Sequence, residues 1–210
     1  MDVKRSVLQF KVTLDEVNPL VWRRIEVPAS YSFWDFHVAV QDAMGWFDSH
    51  LHLFRLPNPE SGEIDEIGIP DEDVFEGDPV CLPGWQVQIA PYFGKIGASA
   101  VYEYDFGDDW IHEVQLEAIT GRQPRVKYPR CLDGERACPP EDCGGPPGYA
   151  RLLEIIADPT DEEYESMMEW LGGSFDPEAF SPREVNFDNP KKRWRIAFGS
   201  QDADHDPTSG

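Results

Sequence analysis

The chain has 210 residues, with 40 acidic against 18 basic side chains and a formal net charge of −22. Sequence-independent nucleic-acid binding needs Lys and Arg to displace counterions from phosphates, so a surface this acidic argues against direct DNA or RNA binding and for a protein partner with a basic surface. A 40% hydrophobic content with 7 Trp and 12 Phe is enough for a packed core. No run approaches the roughly 18 apolar residues of a membrane span, and the opening MDVKRSVLQFKVTL lacks the apolar stretch of a secretory leader. The expected location is the cytoplasm, with no membrane attachment, where four cysteines point to thiols or a metal before disulfides.

Residues 7–14 alternate apolar and polar as a half-buried strand does, and Asn18-Pro19 turns the chain into a second strand over 21–27. Arg23 and Arg24 sit mid-strand and so point to opposite faces. Ser32 and Asp35 have the spacing of a capping box. Phe33, Phe36, His37, Val40 and Met44 then recur at helical spacing until Gly45 stops the helix. His37 on this apolar stripe reads as a packed or surface histidine. A third strand spans 50–56, completing a strand–strand–helix–strand opening common to α+β folds. The acidic, proline-rich 57–84 segment reads as a looped insertion. Strands are expected again at 86–90, 100–106 and 110–119, the last two joined by the tight turn Gly107-Asp108-Asp109.

Beyond Pro146-Pro147, which suits the first turn of a helix, Leu152, Leu153 and Ile156 form an apolar face. Thr160 with Glu163 reads as a second capping box before a helix carrying Met167, Met168 and Leu171. Residues 194–198 fit a last strand or a packed tail, and the polar 200–210 a disordered one. The expectation is a single α+β domain over 1–199, with a mixed, mostly antiparallel sheet, an early helix and a helical C-terminal part.

Cys131, Cys138 and Cys143 lie in YPRCLDGERACPPEDCGGPPGY, residues 128–149, a stretch stiffened by Pro and Gly. The gaps of six and four residues only partly match zinc knuckles, but three thiolates with a fourth ligand such as His112 would suit zinc. Without a metal, the same thiols fill gaps in a packed loop. A candidate pocket draws on other residues. His50 and His52 are two apart on a strand, with Leu51 and Leu53 expected to face the core. Asp105, Asp108 and Asp109 surround a turn next to Trp110, and these carboxylates either hold a hard cation or bond local backbone. Arg23 and Arg24 complete the candidates: a buried Arg would want a carboxylate such as Asp105 or Asp109.

Three blocks, WRRIEVPASYSFWDFHVAVQDAMGWFDSHLHLF (22–54), YEYDFGDDWIHEVQLE (102–117) and the cysteine segment, followed by FDPEAFSPREVNFD (175–188), resemble the plasmid pRiA4b ORF-3 family. The resemblance covers residues 7–198 and implies a single α+β domain associated with plasmids and mobile elements. The functional expectation is a binding or interaction protein with a small structural metal site in the cysteine loop. One alternative is a metal-dependent hydrolase or nuclease-like enzyme using His50, His52, Asp105, Asp109 and His112. Another is an acidic DNA mimic or accessory factor of a mobile element.

Overall fold

The computed structural model describes residues 2–70 and 80–199. Among these residues, eight strands join one sheet: β1 (Ser6–Leu14), β2 (Val21–Pro28), β3 (His52–Pro57), β4 (Ile64–Gly68), β5 (Cys81–Pro83), β6 (Ser99–Tyr104), β7 (Trp110–Gly121) and β8 (Arg130–Glu135). Their spatial order is β5-β4-β3-β6-β7-β1-β2-β8. Every pairing is antiparallel except β4 with β5. The N-terminal strand is therefore central, with Leu14 facing Val21 on one side and His112 on the other.

Helix α1 (Phe33–Met44) covers the inner face. Its start is set locally: Ser32 Oγ accepts from the Asp35 amide at 3.1 Å, and the Asp35 carboxylate accepts from the Ser32 amide at 3.0 Å. Gly45, at φ 97°, supplies the left-handed stop. Phe10 and Phe36 meet at 4.5 Å between ring centres, and Phe36 stacks on Phe54 at 5.7 Å. Almost every side of α1 is buried, Trp34 and Val38 included. A helix apolar all round needs a second cover. Helix α5 (Pro190–Phe198) provides it, setting Trp194 edge-on to Trp34 at 5.3 Å.

Four expectations are corrected. Residues 194–198 are helical, because Asn189 caps the Lys191 amide and Pro190 fills the first turn. The 57–84 segment contributes β4 and β5 to the sheet edge, held to β3 in part by Arg55 between Glu66 and Glu103. Residues 86–90 form no strand; they lead into the short helix α2 (Ile89–Tyr92). Thr160 makes no capping box. Asp158 and Asp161 instead take the local amides before α4 (Tyr164–Trp170). Helix α3 (Gly145–Ala157) begins at the prolines as expected, with Leu152 and Ile155 buried. The 200–210 tail lies outside the described residues. Among those described, no helix is long and apolar enough to cross a membrane.

Candidate functional site

Three connections converge at one end of the sheet: residues 45–51 after α1, the turn at 105–109, and residues 138–145 before α3. Trp46 is the hub. It stacks on Tyr104 at 5.0 Å and donates from its indole to the Pro139 carbonyl at 2.9 Å. The Tyr104 hydroxyl donates to Glu141 and accepts from the Ser49 amide, while the other Glu141 oxygen takes the Phe47 amide at 3.1 Å. The turn docks equally closely. Asp108 accepts from the Gly144 amide at 3.2 Å. Gly145 has φ 68°, and a Cβ there would lie 2.3 Å from the Asp108 carbonyl oxygen, so only glycine lets α3 begin against this turn.

This convergence brings His50, Asp105 and Asp142 together. His50 Nε2 lies 3.0 Å from Asp142 Oδ1 and 3.6 Å from Asp105 Oδ2. One ligand atom from each can lie within 4.8 Å of the others. Asp105 is held by its own turn, since its other carboxylate oxygen accepts from the Gly107 amide. Both aspartates have left-handed backbone, φ 57° and 59°, a conformation that surrounding structure must enforce and that clusters at functional sites. The His50 side chain is 31% exposed and that of Asp142 70%, so the group is open to water. Beside it lies a cleft of about 550 Å³ lined by Trp46, Phe47, Ser49, Glu141, Asp142 and Trp170. Phe47 is 81% and Trp170 51% exposed, an apolar rim on an otherwise acidic chain.

A second group is buried beneath α1. The His37 and His52 rings stack at 3.4 Å and 9°. His37 Nε2 is 2.7 Å from Asp48 Oδ1, and its Nδ1 is 2.8 Å from the Tyr102 hydroxyl, which also accepts from Gln41 Nε2. With Gln41 donating, the Tyr102 proton points to His37 Nδ1, and His37 donates from Nε2 to Asp48. Arg193 of α5 bonds Asp42 at 2.7 Å and lies 3.6 Å from Asp48. Burial holds the His52 imidazole well below its ordinary pKa.

His50 and His52 thus belong to different groups. The expectation for the leucines holds in part: Leu53 is buried, but Leu51, just before β3, is exposed, and His52, Phe54 and Leu56 form the inner row. His112 faces the core against Trp46 and bonds the Tyr102 carbonyl at 3.2 Å. Burial lowers its pKa to about 4. Trp110 is buried against Trp46, and Asp109 is exposed. Among the described residues, no three of Cys131, Cys138, Cys143 and His112 form a group with mutually close ligand atoms. The three thiols pack against the core instead. Burial raises all three, Cys143 to about 12, while the Arg23 charge offsets part of the rise at Cys131 and Cys138.

The two arginines do face opposite ways. Arg24 pairs with Glu117 at 2.6 Å and Asp133 at 3.2 Å. Among the described residues, buried Arg23 pairs with no carboxylate: it donates to the carbonyls of Ala43, Trp22 and Glu135 and stacks on Phe180 at 3.8 Å. Backbone carbonyls satisfy a guanidinium without burying a second charge. Sequence reasoning missed Asp142, Glu141 and Asp48. The available signal was the Glu141-Asp142 pair inside the stiffened loop.

The comparisons agree on ancestry. The chain is 37% identical over 183 residues to the uncharacterized protein y4hQ of Sinorhizobium fredii, covering 86% of this chain and 89% of that one. The crystal structure of MM3350 from Methanosarcina mazei Go1, a protein of unknown function, superposes with a TM-score of 0.79 at 43% identity, over 87% of this chain and 99% of that one. The family model described as plasmid pRiA4b ORF-3-like protein matches residues 6–184, and the chain belongs to that family.

Proposed function

We propose that this protein is a binding module whose working surface is the loop end, where His50, Asp105 and Asp142 hold one divalent cation and the adjoining cleft receives a basic segment of a partner protein. The observation that carries this reading is the convergence of one imidazole and two carboxylates from three separate connections, half open to water. One nitrogen and two oxygen donors suit a borderline first-row ion such as Mn²⁺ or Zn²⁺. The exposed rings of Phe47 and Trp170 supply the aromatic anchors typical of interface centres, and the net charge of −22 favours a cationic partner. This reading moves the ion from the cysteine thiols to a set in which the same loop supplies Asp142.

A second reading is metal-dependent hydrolysis. It is favoured by the count of three protein ligands, which leaves a coordination position for water, as catalytic sites do. Calorimetric titration of the metal-free protein with Mn²⁺ and Zn²⁺ tests the common part. Binding that is lost in Asp105→Asn and Asp142→Asn supports the loop-end ion; binding unaffected by both removes it. An arginine-rich peptide bound by the loaded protein, and released by Phe47→Ala with Trp170→Ala, favours the binding module. Turnover of phosphodiester or ester substrates that follows the same aspartates favours the enzyme.

A further inference from the structure

We propose that Arg23 is the anchor of a small-molecule site separate from the loop-end ion, one that takes a monocarboxylate with an apolar body. A guanidinium offers its N–H donors in a fixed fork, one on Nε and two on each terminal nitrogen. Here Nε donates to the Ala43 carbonyl at 2.9 Å, and Nη1 to those of Trp22 and Glu135 at 2.8 and 2.9 Å. Nη2 donates to nothing among the described residues. The carbonyls take three donors, but they do not neutralise the charge, and Arg23 is only 1% exposed. Burial lowers its pKa, and the groups that act to raise it are the thiols of Cys138 and Cys131, which burial itself keeps protonated. A buried cation without a counter-ion is costly, and an anion on Nη2 supplies both the missing acceptor and the missing charge.

The packing leaves one approach open. Phe180 covers a face of the guanidinium at 3.8 Å, the Ala43 carbonyl closes the Nε side, and β2 and β8 close the Nη1 side. Arg23, Ala43 and Phe180 all line a cavity of about 600 Å³, and Nη2 has neither a partner nor complete burial, so it is the nitrogen that meets this space. The clamp on Arg23 is built into the sheet: a Cβ at Gly134 would lie 2.5 Å from Phe180 Cε1 and 2.7 Å from the Trp22 carbonyl oxygen, so glycine lets the ring settle against β8. Met44, Trp46, Phe180 and Val185 give the cavity apolar walls. Of its two acids, Asp42 is engaged by Arg193 and by the Asp188 amide, and Glu184 is exposed. These acids and the net charge of −22 disfavour a multiply charged anion such as phosphate. A single carboxylate, one oxygen accepting from Nη2 and the hydrocarbon body against Trp46 and Met44, fits both the charge and the lining. The cavity shares Trp46, Phe47 and Cys138 with the loop-end cleft, while His50, Asp105 and Asp142 lie outside its lining.

The test is titration of the full chain with 3-phenylpropionate, its uncharged amide 3-phenylpropionamide, acetate and inorganic phosphate, followed by calorimetry and by the Arg23 Nε–H resonance. The aromatic acid is expected to bind at least about ten-fold more tightly than its amide, as a hydrogen bond to a charged group implies, and more tightly than acetate or phosphate. It should also shift the Arg23 resonance. Arg23→Gln should bring the acid down to the level of the amide. Ala179→Trp, which fills the cavity from an exposed position on its wall, should abolish binding. Asp142→Asn should leave acid binding unchanged, so that failure of the loop-end ion and failure of this site are read separately. Equal binding of acid and amide, phosphate binding as tight as that of the acid, or acid binding that survives Ala179→Trp overturns the proposal. So does an Arg23 resonance that stays in place with every acid at millimolar concentration. If Arg23→Gln fails to fold, the acid-to-amide ratio and Ala179→Trp decide.

Discussion

The two histidine–carboxylate groups use the same chemistry in opposite surroundings. Around His37 and His52 the partners come from α1, the connection after it, the sheet and α5, and both rings are buried. Around His50 the partners are loop aspartates and the solvent is close. Buried polar atoms are costly to orphan, whereas exposed ones trade partners with water at little cost. The buried group should therefore govern stability and the exposed one ligand exchange.

The largest expected effect on the buried side is acid loss of stability. His112 titrates near 6.5 when unfolded and near 4 when folded, because burial disfavours its charged form. The unfolded chain then binds the extra proton, so stability is full above about pH 6.5 and falls by about 3 kcal/mol as the pH drops to 4. His52 acts in the same direction. Urea unfolding at several pH values checks this, and His112→Gln should show a shallower acid limb than the parent. An unchanged limb would mean that His112 carries little of the effect.

Next in size, Tyr102→Phe strands His37 Nδ1 and Gln41 Nε2 in the core. It should cost about 2 kcal/mol in a denaturant midpoint series. Joint replacement of Cys131, Cys138 and Cys143 by Ser should cost about 1 kcal/mol for burying hydroxyls, with no change in bound ions by elemental analysis. Loss of zinc in that variant would return the ion to the cysteine loop. The smallest stability effect belongs to His50→Ala, within about 0.5 kcal/mol of the parent. The same change should abolish one ion-binding event in calorimetry. A large destabilisation with ion binding intact would invert the contrast between the two groups.

Legibility in the sequence followed the range of the interaction. Ser32, Asp35 and Gly45 act within their own helix, so the bounds of α1 were readable. The opposite orientation of Arg23 and Arg24 followed from strand alternation alone. β8 was hidden because an edge strand under a proline-rich loop shows no clear burial alternation. α5 buries only Trp194, so its apolar period is faint and the Asn189-Pro190 start was the usable sign. On β3 the burial of His52 was missed for a related reason. A leucine outranks a histidine as a core residue until the stack on His37 is known. Asp142 depends on three connections meeting in space, and no local pattern encodes that meeting.

The central position of β1 has a temporal consequence. Its neighbour β2 follows within a few residues, but Leu14 must wait for His112 on its other side. At about 5–20 residues per second of synthesis, that partner emerges several seconds later. During this interval the β1–β2 hairpin and α1 expose the Phe10 and Phe36 side of a half-built sheet. Nascent chains stalled before β7 should therefore be the ones that chaperones hold longest, and release should coincide with completion of that strand.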